Sequence, residues 1–248
     1  MAISSSSIIH FTKTKSALKG ILTDNFKVKY CLETIRAEAA DTLYAVPMVS
    51  FCDIPLSQVK EHIHKYGSYG IGLTKEWAKK QRLSPVQYVA AGSYHAASLK
   101  VVINSTTPDD PTKWKDLTKT QVSVIDLVRY IKNYEGDLVR GNKTIPNYRY
   151  YDEREWRYVP EFSEDFPMLI SGKGYQKPTT KTAANKLISG LRLKFDPSDI
   201  KYIVVKSESE VHEFVDVIRR TKAKNFPLKE IEILTTRIMT KDQIESDL

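Results

Sequence analysis

Cysteine is scarce in this chain of 248 residues, with only Cys31 and Cys52 present. Neither thiol has a second cysteine or a histidine at the spacing of a metal site. Small domains that depend on disulfides contain many more cysteines and belong to oxidising compartments. The scarcity therefore argues against a disulfide or zinc framework, so no metal is expected, and it fits a protein of the reducing cytosol.

Long apolar runs are also missing from the sequence. No stretch approaches the roughly 20 apolar residues that a helix needs to cross a bilayer. The N-terminal residues, MAISSSSIIH, lack the basic region and the extended apolar core of a signal peptide. These absences predict a soluble cytoplasmic protein that has no membrane partner.

Positive charge, in contrast, is abundant. The chain has 38 Lys and Arg against 30 Asp and Glu, a net charge of +8, and its pI is about 9.2. Such an excess favours an anionic partner, which could be a nucleic acid, a nucleotide or an acidic protein. Residues 172–206 hold eight basic residues and two acidic ones. This basic segment either follows a phosphate backbone or is a solvated loop kept soluble by its lysines.

Short strands and short helices follow one another without a strict βαβ rhythm, which favours the α+β class. No linker is visible, so the prediction is a single α+β domain over residues 1–248, with residues 172–206 as an insertion or a binding face. Local patterns also predict a helix over residues 120–134, a strand over residues 230–234, and helix N-caps at Asp53, Thr74 and Ser207.

An acidic and aromatic stretch, YRYYDEREWRYVP at residues 148–160, is the most distinctive local pattern. It has no glycine and ends at a proline, which predicts a strand. Alternate residues of a strand share a face, so Glu153 and Glu155 should lie side by side with Arg157 next in line. Such a pair can stabilise positive charge on a substrate or hold a sugar hydroxyl. The alternative is a ladder of ion pairs on a solvated sheet face.

Other candidate positions each allow two interpretations. His10 lies on a short apolar strand, where it is either a buried histidine of the core or a ligand-binding group. The glycines of YGSYGIG invite a phosphate-loop interpretation, but their spacing favours a tight turn and close backbone packing. Tyr66 and Tyr69 beside them could stack on a base or a nicotinamide ring, or form the edge of the core.

Several of these segments together resemble a known pattern. The opening IIHFT, the block AVPMVSFCDIPLSQVKEHIHKYGSYGIGLTKEWA, the strand YYDEREWRYVP and the tail EILTTRIMTKDQIESDL are similar to the AbiGi family of abortive-infection, phage-resistance proteins. The resemblance covers most of the chain. That family is described as the antitoxin of a two-gene system, which implies a partner toxin.

A more distant resemblance bears on chemistry. A strand-borne histidine near the N-terminus, a later aromatic turn and a late E-x-E strand are similar to the layout of ADP-ribosyltransferases of the DarT type. That resemblance implies an ADP-ribosyltransferase-like fold, in which helices flank a mixed, split β-sheet. It also implies NAD as a substrate and a nucleic acid or protein as the acceptor of ADP-ribose.

The same resemblance implies roles for individual residues. His10, with Phe11 and Thr12 beside it, would hold a ribose of NAD, and Tyr66 or Tyr69 would stack on the nicotinamide. Glu155 would bind the ribose hydroxyl and stabilise the oxocarbenium-like transition state, while Glu153 would orient or deprotonate the acceptor. Under this hypothesis Glu155→Gln keeps the fold and abolishes ADP-ribose transfer. The alternative is a non-catalytic antitoxin that binds a partner toxin or operator DNA.

Overall fold

The computed structural model describes residues 5–37, 41–106, 111–140 and 143–247. Its strands, in chain order, are β1 (Ser7–Thr12), β2 (Phe26–Lys27), β3 (Lys29–Ile35), β4 (Thr42–Cys52), β5 (Tyr69–Thr74), β6 (Ser84–Pro85), β7 (Gln87–Val89), β8 (Ile131–Asn133), β9 (Glu135–Arg140), β10 (Lys143–Arg149), β11 (Glu155–Tyr158), β12 (Ile170–Ser171), β13 (Arg192–Leu193), β14 (Ile200–Val205) and β15 (Ile238–Thr240).

The α-helices are α1 (Lys15–Asp24), α2 (Lys60–Tyr66), α3 (Lys75–Lys80), α4 (Tyr94–Thr106), α5 (Lys119–Val128), α6 (Gly172–Tyr175), α7 (Pro178–Leu187), α8 (Val211–Lys222), α9 (Leu228–Thr235) and α10 (Lys241–Asp247). Short 3₁₀ turns lie at Leu56–Gln58, Pro111–Asp116, Tyr150–Glu153, Pro197–Asp199 and Glu208–Glu210. The predicted α+β class, with a mixed sheet and helices, is confirmed. Among these helices none combines the length and the apolar character that a bilayer crossing requires.

The chain forms two compact units. Unit 1 comprises the described parts of Met1–Lys27, Ser50–Leu83 and Arg192–Leu248, and unit 2 comprises those of Val28–Val49 and Ser84–Leu191. Strand β4 runs through the boundary, because its first eight residues belong to unit 2 and its last three to unit 1. The single domain expected over residues 1–248 stays a prediction.

Unit 1 is built on a sheet in which β1 lies next to β5, β5 next to β14, and β14 next to β15. The β14–β15 pair is parallel and the other two pairs are antiparallel, so the sheet is mixed. These strands are largely apolar, as strands covered on both faces are. One buried cluster of this unit comprises Ile9, Ile54, Val59, Ile63, Tyr202, Val204 and Ile244.

The glycines of YGSYGIG serve close packing in unit 1. A Cβ atom at Gly72 would lie 2.3 Å from the ring of Tyr202. Gly67 ends helix α2 with φ at 128°, a backbone conformation that side-chain-bearing residues rarely adopt. The packing interpretation of these glycines is therefore confirmed.

Unit 2 contains a long antiparallel pair, β3 with the first part of β4, in register from Lys29↔Met48 to Ile35↔Thr42. Strands β7 and β8 pair in parallel, and β9 and β10 form an antiparallel hairpin. Helices α4 and α5 pack together and contribute to one core with the strands. The buried members of this core are Ile35, Tyr44, Val46, Met48, Val89, Ala96, Ile103, Ile125, Val128, Ile131, Met168 and Leu169.

Two predicted elements are wrong. The helix expected over residues 120–134 ends at Val128, and Ile131–Asn133 is strand β8, because its backbone pairs with β7. The strand expected over residues 230–234 is part of helix α9. Ile231 and Leu234, three residues apart, are buried there while Ile233 is exposed, which is a helical period rather than a strand period.

The predicted N-caps have different outcomes. Thr74 caps α3, since its hydroxyl accepts a hydrogen bond from the Trp77 amide at 3.2 Å. Asp53 is not the N-cap of a helix. Its carboxylate instead accepts hydrogen bonds from the Ser5 amide and from the Lys75 ammonium. The Ser207 side chain makes no capping hydrogen bond, because a 3₁₀ turn separates it from the start of α8.

Candidate functional site

The acidic and aromatic stretch at residues 148–160 is not one strand, so that prediction is wrong. Strand β10 ends at Arg149, a 3₁₀ turn covers Tyr150–Glu153, and β11 starts at Glu155. Arg154 between them has φ at 46°, in the left-handed region. Strand alternation therefore does not place Glu153 beside Glu155.

Lys132 nevertheless brings the two carboxylates together. Its Nζ lies 3.1 Å from Glu153 Oε2 and also contacts Glu155 Oε2. Both carboxylates are buried, and the ammonium lies 5.0 Å from the centre of the Tyr150 ring. The two glutamates are neighbours as predicted, but they meet through a lysine of strand β8.

Arg157 contacts the second carboxylate oxygen of Glu155, Oε1. Its side chain is 0% exposed, and Nε donates to Glu155 Oε1 at 2.8 Å. Nη2 donates to Glu33 Oε1 at 2.9 Å, and Nη1 donates to the carbonyl oxygen of Arg129 at 2.7 Å. Glu33, Lys132, Glu153, Glu155 and Arg157 thus form one group within unit 2, here called the charge cluster, in which Glu153, Glu155 and Arg157 are buried and Glu33 and Lys132 are partly exposed.

The pKa values of the charge cluster follow from burial and mutual attraction. Burial alone would raise the pKa of Glu155, but the charges of Arg157 and Lys132 outweigh it and lower that pKa to about 2. Burial alone would lower the pKa values of Lys132 and Arg157. The neighbouring carboxylate charges outweigh burial and raise both pKa values. Burial raises the pKa of Glu33 above its ordinary value despite Arg157.

This arrangement limits what Glu155 can do chemically. A carboxylate with so low a pKa is a weak general base, and both of its oxygens are already bound by cations. Those cations occupy the carboxylate oxygens that would otherwise bind a substrate hydroxyl or stabilise an oxocarbenium centre. The geometry is typical of a structural ion-pair network, although this network is buried and not the solvated ladder considered from the sequence.

His10 is oriented by the core of unit 1. Its Nδ1 donates a hydrogen bond to the Ser50 carbonyl oxygen at 2.8 Å, and its ring packs edge-on against Phe26 and Phe51. Burial lowers the pKa of this imidazole, which favours the neutral form. This environment suits the core-histidine alternative.

The other expected NAD-binding residues also lie in unit 1. Phe11 packs against the buried cluster of that unit, and the Thr12 carbonyl lies close to Gly67. The ring of Tyr66 stacks on His62 with centroids 5.9 Å apart, and buried Tyr69 donates its hydroxyl hydrogen to Glu210 at 3.0 Å.

The expected NAD site therefore draws on both units. His10, Phe11, Thr12, Tyr66 and Tyr69 belong to unit 1, whereas Glu153 and Glu155 belong to unit 2. Their convergence on one pocket stays a prediction, as do NAD as a substrate and the nucleic acid acceptor.

Sequence reasoning missed Lys132 and Glu33, which complete the charge cluster. Lys132 was assigned to a helix because Val124, Leu127, Val128 and Ile131 recur at helical spacing. Glu33 stands on β3, 124 positions before its partner Arg157. Strand β3, KYCLETI, mixes charged, polar and apolar residues, so nothing in its pattern marks Glu33, and its partner could not be inferred from the sequence.

The basic segment at residues 172–206 is largely structured, which contradicts the solvated-loop alternative for GKGYQKPTTKT. Helices α6 and α7 occupy most of that stretch. Lys173, Lys177, Lys181 and Lys186 are exposed along it. A role for this segment as a nucleic-acid-binding face stays a prediction.

The low pKa of Glu155 predicts an acid-sensitive contribution to stability. In the folded protein this carboxylate stays ionised down to about pH 2, whereas in the unfolded chain it takes up a proton near pH 4.5. The unfolded state binds more protons between these values, so the contribution is complete above pH 4.5 and is lost as the pH falls to 2. A shift of this size corresponds to about 3 kcal/mol.

Urea unfolding between pH 2 and pH 6 measures this contribution. Glu33, whose pKa is raised, makes stability fall as the pH rises past 4.5, but it is present in both the wild type and Glu155→Gln, so a comparison of the two proteins reports on Glu155. The difference in free energy of unfolding between the wild type and Glu155→Gln should therefore shrink as the pH falls. A difference that stays constant across the window would show that folding does not lower the pKa of Glu155.

Comparisons with known proteins add an independent finding. The AbiGi family model, which describes an abortive phage resistance protein and antitoxin, matches residues 24–206. The chain is also 31% identical over 226 residues to the abortive phage resistance protein AbiGi of Lactococcus lactis subsp. cremoris, covering 82% of this chain and 88% of that relative. No solved structure matches the chain.

Proposed function

This chain belongs to the AbiGi family of abortive phage resistance proteins, and from that membership we propose that it is an antitoxin that binds and neutralises a partner toxin protein. The observation that carries the proposal is the match of residues 24–206 to a family described as an antitoxin. This stretch includes every residue of the charge cluster and all of unit 2.

The state of the two glutamates supports a binding role over a catalytic one. Glu155 is bound by Arg157 on one oxygen and by Lys132 on the other, and Glu153 shares the same lysine. An antitoxin needs a rigid scaffold that presents a surface to its partner. An ion-pair network that links several strands helps to fix their positions in such a scaffold. ADP-ribose transfer would require these contacts to open.

Growth assays test the proposal. Expression of this chain alone should leave bacterial growth unchanged, while expression of the toxin encoded by a neighbouring gene should arrest it. Expression of both should restore growth, and the two proteins should purify together. A version of the gene with an early stop codon keeps the transcript but loses the protein, so it should fail to restore growth if neutralisation requires the protein.

Three results would overturn the proposal. Growth arrest by this chain alone would make it the toxic component. Retention of label when the purified protein is incubated with labelled NAD and total RNA, DNA or protein would make it a transferase. In the third result, growth is restored but the two proteins do not purify together, and this chain binds its own promoter DNA. The chain would then act by binding operator DNA and not by binding the toxin.

A further inference from the structure

Helices α6 and α7 carry positive charge that the rest of unit 2 does not share. Residues 172–191 contain four lysines and no acidic residue. Outside this stretch, unit 2 has thirteen basic residues and fifteen acidic ones, so the four lysines account for more than its whole positive excess. Their side chains are all exposed and are here called the lysine surface, which comprises Lys173, Lys177, Lys181 and Lys186.

The lysine surface forms no ion pair with any residue that the structure describes. In contrast, Lys15 and Lys19 of α1 both bind the carboxylate of Glu213. Lys177 and Lys181 lie one helical turn apart, where like charges repel. Lys177 is also the N-cap of α7, where the helix dipole favours an acidic side chain. These charges therefore add no stabilising ion pair to the fold and remain available to an anionic partner.

Uncharged side chains attach the two helices to strand β3. The Tyr175 hydroxyl donates to the Tyr30 carbonyl oxygen at 2.8 Å, and Asn185 Oδ1 accepts from the Tyr30 amide at 3.1 Å. Asn185 Nδ2 also donates to the Tyr175 hydroxyl at 3.1 Å. The Lys181 ammonium lies 5.9 Å from the centre of the Tyr175 ring, at the outer limit of a cation–π contact. The lysines can thus be replaced without removing the hydrogen bonds that hold α6 and α7 in place.

We propose that, in addition to toxin binding, the lysine surface binds the phosphate backbone of a double-stranded nucleic acid. Lysine is depleted from the cores of protein interfaces, where aromatic residues and arginine are enriched. The exposed residues of α6 and α7, two helices that the structure describes in full, include neither an aromatic residue nor an arginine. Lysine is, in contrast, an ordinary contact of phosphate oxygens. The composition of this surface therefore favours a polyanion over a protein partner.

The same composition favours a duplex over a single strand or a membrane. Proteins that bind single strands stack the bases on exposed aromatic rings, but Tyr175, the one aromatic residue of these two helices, is buried. A membrane-bound helix inserts an apolar face, but Leu187 is the one large apolar side chain that they expose. A duplex requires only charges and hydrogen-bond donors close to its backbone.

The exposed side of α7 leaves room for a phosphate backbone. An open depression of about 430 Å³ is lined by Pro178, Thr179, Thr182 and Ala183. These side chains are small, and the two threonine hydroxyl groups can donate hydrogen bonds to phosphate oxygens. Lys177 and Lys181 directly precede two of the lining residues in the chain. Charges and hydroxyl donors thus occur together along the first turns of the helix.

Fluorescence anisotropy of a labelled duplex of about 20 base pairs and mixed sequence, with the purified chain and no toxin, tests the proposal. Four phosphate contacts predict that the logarithm of the association constant falls with the logarithm of the salt concentration, with a slope of about −3.5. The dissociation constant should lie between about 1 and 100 µM near physiological salt. Parallel titrations with DNA and RNA duplexes of one sequence show which of the two binds more tightly.

Lys177→Gln/Lys181→Gln should weaken binding at least about tenfold and bring the salt slope about two units closer to zero, because each lost phosphate contact removes about one unit. Lys177→Arg/Lys181→Arg keeps both charges and should keep the wild-type slope. Lys115→Gln/Lys119→Gln is the matched control, since it removes the same charge from exposed lysines elsewhere in unit 2. This control should bind like the wild type. Unchanged melting temperatures would confirm that all three variants are folded.

Four outcomes would overturn the proposal. These are no binding to either duplex at about 50 mM salt, a slope unchanged by Lys177→Gln/Lys181→Gln, an equal loss of binding in the control, and tighter binding to a single strand than to its duplex. If Lys177→Gln/Lys181→Gln lost toxin binding but bound the duplex like the wild type, the surface would belong to the toxin instead. Because the titrations use no toxin, a failure to bind nucleic acid leaves the antitoxin proposal standing.

Discussion

Glu155→Gln should lower the free energy of unfolding by about 3–5 kcal/mol at neutral pH, because it leaves a buried arginine without its main partner. Arg157 is 0% exposed, and both its Nε and Nη2 contact Glu155 Oε1. Lys132 would keep its ion pair with Glu153 but lose the shorter one, which it makes with Glu155. Urea unfolding followed by far-UV circular dichroism measures the loss.

A matched control and a double variant identify the cause. Glu164→Gln removes the same charge at an exposed position of unit 2 and should change stability by no more than about 0.5 kcal/mol. Removing Glu155 and Arg157 together should cost less than the sum of the two single changes, because the second change takes away the charge that the first left unpaired.

This experiment also separates the two functional hypotheses. A structural Glu155 loses stability when its charge is removed, whereas a catalytic Glu155 held for substrate would keep stability and lose ADP-ribose transfer. Wild-type stability in Glu155→Gln would therefore contradict the network described for the charge cluster. With that result, Glu155 would again be a candidate catalytic residue.

Gly67→Ala should destabilise the protein by about 3 kcal/mol or more, from backbone strain and a steric clash together. Gly67 has φ at 128°, and a Cβ atom there would lie 2.3 Å from the Thr12 carbonyl oxygen and 2.6 Å from Lys13 Cα. Both neighbours are backbone atoms, so no side-chain rotation relieves the clash. The midpoint of urea unfolding and the melting temperature should both fall.

Gly20→Ala is the matched control for this change. Gly20 lies inside helix α1, and a Cβ atom there would meet nothing within 4 Å. Alanine should therefore stabilise the helix by roughly 0.5–1 kcal/mol. If both variants unfolded at the wild-type urea concentration, the close approach of β1 to the end of α2 would be wrong.

Local patterns predicted much of the secondary structure correctly. Strand β1 is the short apolar strand expected to carry His10, since an apolar run bounded by polar residues is typical of a buried strand. The Thr74 cap was expected from its position before a helical pattern and is present. These features depend on neighbours in sequence, so sequence alone is sufficient for them.

Two of the errors, at β8 and at the turn before β11, share one cause. Strand β8 carries residues that also fit a helical stripe, and only its pairing with β7 makes it a strand. The turn at Tyr150–Glu153 interrupts a stretch whose composition is typical of a strand. In both places contacts made far along the chain outweigh local preference, which is weak for short elements.

The sequence by itself determined the α+β class and the family. Only the tertiary structure showed which groups bind Glu153 and Glu155, because Lys132 of β8 contacts both carboxylates and Arg157 links Glu155 to Glu33 of β3. Ion pairs form between groups that are close in space, whatever their separation in sequence. A pattern of charges therefore shows that partners are needed, and the fold selects which residues they are.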